Sequence, residues 1–290
     1  MKIKSKQDIF FDCIIYSLLF LCCLITIVPF LQAVTISLSP ASEVNKYGLH
    51  LIPTSFNLEG YQKVIQHDQI WIAYKNTIIR TVLGTFLAVA LTVLAAYPLA
   101  KKDLPHRTFW TGFIVFTMYF SGGLIPRYLL VNNLGLLNSM SALVLPSMIS
   151  AFTLIVTRNF FMTIPESLEE SARIDGANDL YILYKIIIPI SKPIIATITL
   201  WYGVWHWNQW FDCMIYIMDK EKFVLQYVLR QIVLEGQMSD SEMAITDVMV
   251  VNTETMKMAT LVVATLPIIC VYPFLQKYFV KGVMMGSLKG

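Results

Sequence analysis

A tract of aromatic and polar side chains interrupts the otherwise apolar stretch before residue 213. Four of its members would share one face of a helix, at i, i+4, i+7 and i+11: Trp201, Trp205, Asn208 and Asp212. Flat aromatic faces combined with amide and carboxylate groups suit the binding of sugars, and a polar side chain within an apolar span indicates a functional site. The four residues are therefore candidates for a substrate pathway. An aromatic belt at a membrane interface would give the same pattern, and the sequence leaves both explanations open.

Motifs for catalysis or for ATP hydrolysis do not occur in the sequence. There is no Walker A motif, no H-E-x-x-H and no G-x-S-x-G. His206 has no second ligand at suitable spacing on its own helix face apart from the distant Asp212, so we predict no metal site. We therefore expect a protein that is not an enzyme, has no catalytic residues and binds no cofactor itself.

The segment 163–192 concentrates charge in a chain that otherwise avoids it. Its charged residues are Glu166, Glu169, Glu170, Arg173, Asp175, Asp179, Lys185 and Lys192. The run from Thr163 to Glu166 is typical of a capping box with proline in the first turn. Three glutamates near that turn would be favoured by the helix dipole. The pattern predicts a short helix that lies along the membrane surface.

A turn and a second helix are expected to follow. Gly176 stands where a C′ glycine ends a helix. Asn178 or Asp179 can then cap a second helix that runs to Pro189. The segment is therefore predicted to be a helix–turn–helix, and such a surface helix needs a partner on which to dock.

The same segment resembles a known family. The run Glu170-Ser171-Ala172-x3-Gly176, followed by nine residues and then Ile186-x-Ile188-Pro189, is similar to the EAA loop of binding-protein-dependent ABC importer permeases, E-A-A-x3-G-x9-I-x-L-P. Ser171 and Ile188 are small departures from it. The stretch 169–177 resembles the carbohydrate-uptake branch. Four further runs resemble permeases that work with lipoprotein-anchored polysaccharide-binding subunits: 120–126, 134–138, 206–212 and 277–282.

This resemblance implies an all-α integral membrane protein with the MetI-like permease fold and six transmembrane helices. It implies one half of a translocation pathway for a carbohydrate, an oligosaccharide, delivered by an extracellular lipid-anchored solute-binding protein. The expected partners are a second homologous permease and two ATP-binding cassette subunits, which would hold the ATP and magnesium. The family's coupling helix docks on the ATPase, so the resemblance assigns ATPase coupling to Glu169, Glu170, Ala172, Asp175, Gly176 and Pro189. In this assignment the two glutamates contact the ATPase, Ala172 allows close approach and Gly176 sets the turn.

Composition independently places the chain in a membrane. Of its 290 residues, 56% are hydrophobic and only 14% are charged, which leaves too little polar surface to cover a soluble globule. Charge-free windows long enough to cross the roughly 30 Å hydrocarbon core predict six spans, near 10–38, 76–100, 108–130, 141–162, 191–216 and 258–280. The six spans are predicted to form one membrane domain over 1–290, which includes the coupling loop at 163–190. An amphipathic helix from Leu58 to Ile72 is expected in the first outside loop.

Lys and Arg residues indicate the orientation. The short loop 101–107, Lys-Lys-Asp-Leu-Pro-His-Arg, is the clearest marker of the inside face. Both termini are then cytoplasmic, and the chain is a multi-pass protein of the bacterial cell membrane, surrounded by lipid. The net charge of +3 reflects this topology and does not indicate nucleic-acid binding.

Two alternatives remain to be compared with the importer subunit. A self-sufficient secondary transporter or channel would need ionisable residues near the bilayer midplane, and the six windows contain none. An intramembrane enzyme would need paired His, Asp or Ser residues inside spans, and no such pair is visible. The sequence does not specify which sugar is carried, and a non-sugar ligand such as a peptide remains open.

Overall fold

The computed structural model describes residues 6–40, 44, 51–53, 55–232, 254–271 and 273. Every regular element within these ranges is helical, so the all-α prediction is confirmed for them. The acidic part of the predicted second outside loop, 233–253, and the segment 274–290 lie outside the described residues. The chain divides into two compact units, 1–68 with 229–266 and 69–228 with 267–290. The single membrane domain over 1–290 stays a prediction.

The first unit contains α1, Lys6–Ser37, a helix that is apolar on all sides. Side chains between Ile9 and Ile27 are exposed apart from the half-buried Asp12. A helix with this composition and no polar face is stable when lipid surrounds it. The structure thus agrees with a first span at 10–38.

The first unit also contains α2, Glu59–Gln66, which is tied to the end of α1 by a 2.8 Å hydrogen bond between the hydroxyls of Ser37 and Tyr61. The amphipathic helix predicted from Leu58 to Ile72 is therefore wrong in its length. Extended backbone at His67 ends α2, and the residues after it open the next helix.

The second unit begins one residue into α3, Asp68–Ala100, a helix of 33 residues. At 1.5 Å per residue it measures about 50 Å, more than the hydrocarbon core requires. The predicted span 76–100 lies inside it. Pro98 lies in its last turn, so any bend that the missing backbone donor causes affects only the end of the helix.

The next two predicted spans are bent rather than straight, and a third bend lies just before the predicted fifth span. The second unit continues with α4 (Arg107–Tyr119) and α5 (Leu124–Asn133), α6 (Met140–Ser147) and α7 (Ala151–Phe161), a short α8 (Ser167–Ile174), and then α9 (Asp179–Ile190) and α10 (Lys192–Asn208). The pairs α4–α5, α6–α7 and α9–α10 are bent by 110°, 49° and 84°. The continuous helices predicted at 108–130 and 141–162 are thus wrong in that respect.

Local chemistry explains these breaks. Gly123 adopts φ +85°, a left-handed conformation that glycine enters without a steric penalty, between α4 and α5. The hydroxyl of Ser150 accepts a hydrogen bond from the amide of Thr153 and so caps α7 after the break. Pro193 stands in the first turn of α10, where its missing donor has no cost.

The predicted fifth span, 191–216, is interrupted near its carboxyl end. α10 ends at Asn208, Gln209 is extended, and a separate helix α11 runs over Phe211–Tyr216. A 3-10 turn at Lys220–Lys222 and a helix over 225–232, α12, follow. The last described helix, α13, is Glu254–Val271, so it begins four residues before the predicted start at 258 and its predicted end lies outside the described residues.

The core of the second unit is formed by α3, α7, α9 and α10. It is aliphatic apart from two tyrosines and one phenylalanine, and its buried members are Ala88, Val93, Ala96, Tyr97, Leu99, Leu154, Phe161, Ile182, Leu183, Ile187, Ile194, Ile198 and Tyr202. The hydroxyl of Tyr202 is bonded to Thr92 at 2.9 Å and accepts the amide of Ser150 at 3.1 Å. These contacts hold α7 and α10 against α3.

Candidate functional site

The helix–turn–helix predicted at 163–190 is present, as α8 and α9. Gly176 has φ +82°, its amide bonds to the Arg173 carbonyl at 3.0 Å, and the amide of Ala177 bonds to the Ala172 carbonyl at 2.9 Å. These two bonds are the Schellman ending of a helix, and they require the left-handed residue that glycine supplies. The predicted role of Gly176 in setting the turn therefore matches its backbone geometry.

The second helix starts as expected, and its middle is irregular. The side-chain oxygen of Asn178 accepts the amide of Tyr181 at 2.8 Å and caps α9. A π-helical turn follows at Leu183–Ile187, directly before Pro189. Proline removes a backbone donor and crowds the preceding turn, and a widened turn is a common way to accommodate it.

The capping box predicted at Thr163–Glu166 is wrong. The hydroxyl of Thr163 donates to the carbonyl of Phe160 at 2.7 Å, so it is not available to the start of α8. Glu166 occupies the N-cap position without a side-chain cap bond. α8 is instead positioned by contacts of its acidic side chains with the end of α3.

The two adjacent glutamates of α8 are placed differently. Glu169 forms an ion pair with Lys101, and its carboxylate accepts a 3.4 Å hydrogen bond from the hydroxyl of Tyr97. The ammonium of Lys101 lies 4.2 Å from the centre of the Tyr97 ring. Glu170, in contrast, is exposed. The two carboxylates that the EAA resemblance treats alike therefore have different surroundings.

The other residues assigned to coupling also divide into inward and outward positions. Ala172 is half-buried and packs against the core of the second unit, while Asp175, Gly176 and Pro189 are exposed. An apolar side chain, Ile174, is 87% exposed at the end of this charged helix. An isolated aliphatic group so exposed beside Glu170 gives the outer face of α8 both a polar and an apolar contact point.

Charge around the turn is internally paired. Arg173 forms a 2.9 Å ion pair with Asp179, and the hydrogen bond and the charge of Asp179 raise the pKa of Arg173 above its ordinary value. Partial burial, followed by the charge of Arg173, lowers the pKa of Lys101. Lys102 and Glu166 form a second, largely exposed ion pair at 2.9 Å. The pair across the turn links α8 to α9, whereas the other two link α8 to the end of α3.

The aromatic and polar stripe of the fifth span is not a single helix face. Trp201 packs on the core and lies 5.8 Å, centre to centre, from the ring of Phe152. Trp205 is 37% exposed, and Asn208 is exposed with its amide donating to the Val204 carbonyl at 2.8 Å. The prediction that Asp212 shares their helix face is wrong, because α10 ends at Asn208 and Asp212 belongs to α11.

Asp212 instead pairs with a residue that the sequence pattern did not single out. Arg80 of α3 is fully buried and holds the Asp212 carboxylate with both terminal nitrogens, one of them at 3.0 Å. The same guanidinium donates to the carbonyls of Leu143 and Gln209, each at 3.3 Å. Arg80 was visible only as the boundary of a charge-free window, and an arginine at that depth is itself an indication of a buried partner.

His206 lies beside this cluster at a tight crossing of α3 and α10. A Cβ placed on Gly84 would lie 2.4 Å from the Nε2 atom of His206. The imidazole is fully buried, and its ring meets that of Trp205 edge-on at 4.8 Å. The residue therefore fills the crossing as a packing group.

A cavity of about 710 Å³ opens on another side of α10, lined by α3, α9, α10 and the end of α13. Its wall is mostly aliphatic, with Phe86, Tyr184 and Trp207 as aromatic members. Thr81, Thr85 and Thr199 also line it. The hydroxyls of Thr81 and Thr85 are themselves buried and have no hydrogen-bond partner among the described residues. The cavity contains none of the four stripe residues.

The turn after α11 is held to the rest of the second unit by Asn138. Asn138 has φ +57°, its side-chain oxygen accepts the amides of Met218 and Asp219, and its side-chain nitrogen donates to the Asp219 carboxylate at 2.7 Å. Lys222 pairs with the same carboxylate at 2.9 Å. The hydrogen bond from Lys222, and then that from Asn138, lower the pKa of Asp219.

Comparison with known proteins gives consistent results over nearly the whole chain. A family described as binding-protein-dependent transport system inner membrane component matches residues 4–285. The chain is 44% identical over 285 residues to the polygalacturonan/rhamnogalacturonan transport system permease protein YtcP of Bacillus subtilis (strain 168), covering 97% of this chain and 98% of that protein. It is 41% identical over 266 residues to protein LplC of the same organism, covering 92% and 90%.

A solved structure is similar as well. It is described as a bacterial ABC transporter involved in the import of the acidic polysaccharide alginate. One of its chains superposes with a TM-score of 0.86 and 33% sequence identity, covering 96% of this chain and all of that one. The bent helices described above therefore occur in an arrangement already known from an importer.

Proposed function

The chain belongs to the family of binding-protein-dependent transport system inner membrane components, and from this premise we propose that it is one permease subunit of an ATP-driven carbohydrate importer. Its relatives include proteins named for the transport of polygalacturonan or rhamnogalacturonan and of arabinooligosaccharides, and a structure of an alginate importer. These names favour an oligosaccharide as the substrate. The chain contributes the membrane path and no enzymatic step.

The proposed membrane arrangement has six spans with both termini in the cytoplasm of a bacterial cell. Three described helices are long and apolar enough to cross a bilayer, and the three bent pairs bring the number to six if each pair is one span. The basic loop 101–107 supports an inside position for the ends of α3 and α4. That orientation places α8 on the cytoplasmic side as well.

The observation that carries this proposal is the outer face of α8. It is a short surface helix with the spacing of the EAA loop, an exposed carboxylate at Glu170 and an exposed aliphatic side chain at Ile174. A charged and an aliphatic side chain, both exposed on one short helix, offer a partner a polar and an apolar contact. We assign this face to docking on one of two ATP-binding cassette subunits, which hold the ATP and magnesium. A second homologous permease and an extracellular lipid-anchored solute-binding protein complete the assembly.

Two surfaces of α10 are candidates for the substrate path. Trp205 and Asn208 remain exposed at its outer end, while the cavity beside Trp207 has an aliphatic and aromatic wall. Aromatic rings suit the apolar face of a sugar, and the side-chain amide of Asn208 suits its hydroxyls. We propose the cavity as the membrane-embedded part of the path, with Trp205 and Asn208 at its entrance. Asp212 acts there through Arg80, as a structural anchor.

The first experiment captures the ATPase through a tag on the detergent-solubilised full chain. The unaltered chain is expected to retain an ATPase. Glu170→Arg reverses the charge at the docking face, and Gly176→Pro destroys the left-handed turn. Each variant is expected to lower the amount of captured ATPase by about tenfold. The matched control is Glu221→Arg, which reverses the charge of an exposed residue in the 3-10 turn at Lys220–Lys222. It is expected to leave the amount of captured ATPase unchanged.

Each other outcome has a clear meaning. If the unaltered chain captures no ATPase, the importer assignment fails, and a self-sufficient secondary transporter or channel becomes the better account of the chain. If both variants capture the ATPase fully, the assignment of ATPase docking to α8 fails.

A second experiment tests the path. In a chain whose five native cysteines are replaced by alanine, Thr85→Cys is expected to react with a water-soluble thiol reagent in the assembled complex. Leu83→Cys, on an exposed side of α3, is the control that lipid protects. Equal protection of both cysteines would exclude the cavity from the path.

A further inference from the structure

Glu169 has contacts that a simple docking residue does not need. Its side chain and that of Lys101 are only 18% and 17% exposed, although both lie in the most polar part of the second unit. The carboxylate also receives the Tyr97 hydroxyl, and Tyr97 is itself a member of the buried core. Glu169 thus connects α8 to a packed part of α3.

The end of α3 that receives this contact is fixed from two further helices. The guanidinium of Arg158 in α7 donates to the Leu99 carbonyl at 3.0 Å, and that of Arg107 in α4 donates to the Lys101 carbonyl at 3.3 Å. Cationic groups at the carboxyl end of a helix satisfy its free carbonyls and oppose its dipole. Movement of this end therefore requires movement of α7 and α4 with it.

A second ion pair between the same two segments differs in one property. Lys102 and Glu166 also join the end of α3 to the start of α8, but their side chains are 76% and 59% exposed. An exposed pair contributes little, because water screens the charges and both side chains lose rotamer freedom. A pair with less solvent around it is screened less and holds its geometry better. Of the two pairs, the one with Glu169 is the effective connection.

We propose that Lys101, Tyr97 and Glu169 form a joint that makes α8 and α3 move as one body, so that Glu169 is a positioning residue and not an ATPase contact. This inference rests on the proposed function, in which a partner ATPase pushes or pulls on α8. Movement applied at Glu170 and Ile174 then reaches the membrane through α3. The joint lets a short surface helix move a span of 33 residues.

The test measures distances within the assembled complex in lipid nanodiscs, purified through a tag on the full chain. Spin labels are placed at Ser171→Cys in α8 and Leu83→Cys in α3, both exposed positions, in the background without native cysteines. The distance distribution is recorded without nucleotide and after trapping with ATP and vanadate. In the otherwise unaltered chain the mean distance is expected to be the same in the two states, because the joint is rigid.

Glu169→Gln is expected to retain the ATPase in full and to separate the two helices on trapping, with a shift of about 2 Å or more or a matching broadening. Lys101→Glu combined with Glu169→Lys restores the ion pair in reverse and should restore the single distance. Glu166→Gln, at the exposed pair, is the matched control and should behave as the unaltered chain does.

The outcomes separate this inference from the proposed function. An unaltered chain that captures no ATPase contradicts the proposed function, and the joint with it. A Glu169→Gln variant that loses its ATPase shows that Glu169 contacts the partner directly, which overturns the joint and leaves the proposed function intact. A Glu169→Gln variant whose distance does not change on trapping, or an unaltered chain whose distance does, also overturns the joint.

Discussion

The guanidinium of Arg80 and the carboxylate of Asp212 form a two-pronged ion pair that joins α3 to α11. Arg80 also binds the carbonyls of Leu143 and Gln209, so a single side chain gathers three segments. Gln209 lies where the fifth span breaks, and its carbonyl is free to accept because the helix has ended. The pair therefore stabilises the break that turns the chain from α10 into α11.

Removing one partner of this pair leaves a buried charge without compensation. We expect Asp212→Asn to cost about 3–5 kcal/mol of folding free energy, because Arg80 is fully buried. The double variant Arg80→Met, Asp212→Leu should lose much less, since no buried charge remains. The midpoint of thermal unfolding in detergent measures both. Asp219→Asn, at an exposed ion pair, is the control, and a loss equal to that of Asp212→Asn would contradict this explanation.

Gly84 allows α3 and α10 to cross closely, with the ring of His206 where a methyl group would be. We expect Gly84→Ala to destabilise the chain by about 1–3 kcal/mol through overpacking. Gly112→Ala, in α4, meets no atom within 4 Å and should instead stabilise by up to about 1 kcal/mol, from helix propensity alone. The midpoints of thermal unfolding of the two variants test these opposite changes in stability. Replacing His206 by Ala in the Gly84→Ala chain should recover part of the loss.

Substitutions of Gly176 distinguish the free-energy cost of its backbone conformation from the cost of a steric clash. Its surroundings are open, so Gly176→Ala should cost about 1 kcal/mol for the left-handed conformation and nothing for a clash. Gly176→Asn should cost less, because asparagine tolerates that conformation. Both variants should therefore still capture the ATPase, unlike Gly176→Pro. If Gly176→Asn no longer captured the ATPase, the ATPase would have to contact the backbone at a position where no side chain is tolerated.

Local chemistry made α8 and α9 predictable from the sequence. Gly176 and Asn178 act on amides within three to five residues, so their roles depend on little else. The capping box failed because Thr163 had a competing acceptor, the Phe160 carbonyl, on the other side of it. Hydroxyl side chains bond to whichever backbone group is nearest, and the sequence alone does not decide between them.

The long-range part of the site was less accessible. Apolar windows predicted the positions of the spans but not their bends, because hydropathy reflects composition and carries no information about the direction of a helix. The helical spacing of the stripe lost its meaning at Gln209, where the helix ends. Arg80 and Asp212 are separated by 132 residues, and the sequence around either residue does not indicate that the two pair. The functional roles of the stripe and of the coupling residues stay predictions, which the experiments above address.

Asp219 should make the turn after α11 sensitive to acid. Its pKa is lowered in the folded chain by the hydrogen bonds from Lys222 and Asn138, so the contact stabilises the fold above the ordinary pKa of about 3.8 and is lost as the pH falls through the lower, folded value. We expect the unfolding midpoint of the unaltered chain to exceed that of Asp219→Asn at pH 7, and the difference to close below about pH 4. In a Lys222→Met background the difference at pH 7 should shrink, because the first of the two donors is gone. A difference that persists unchanged at pH 3 would show that the carboxylate charge is not what holds this turn.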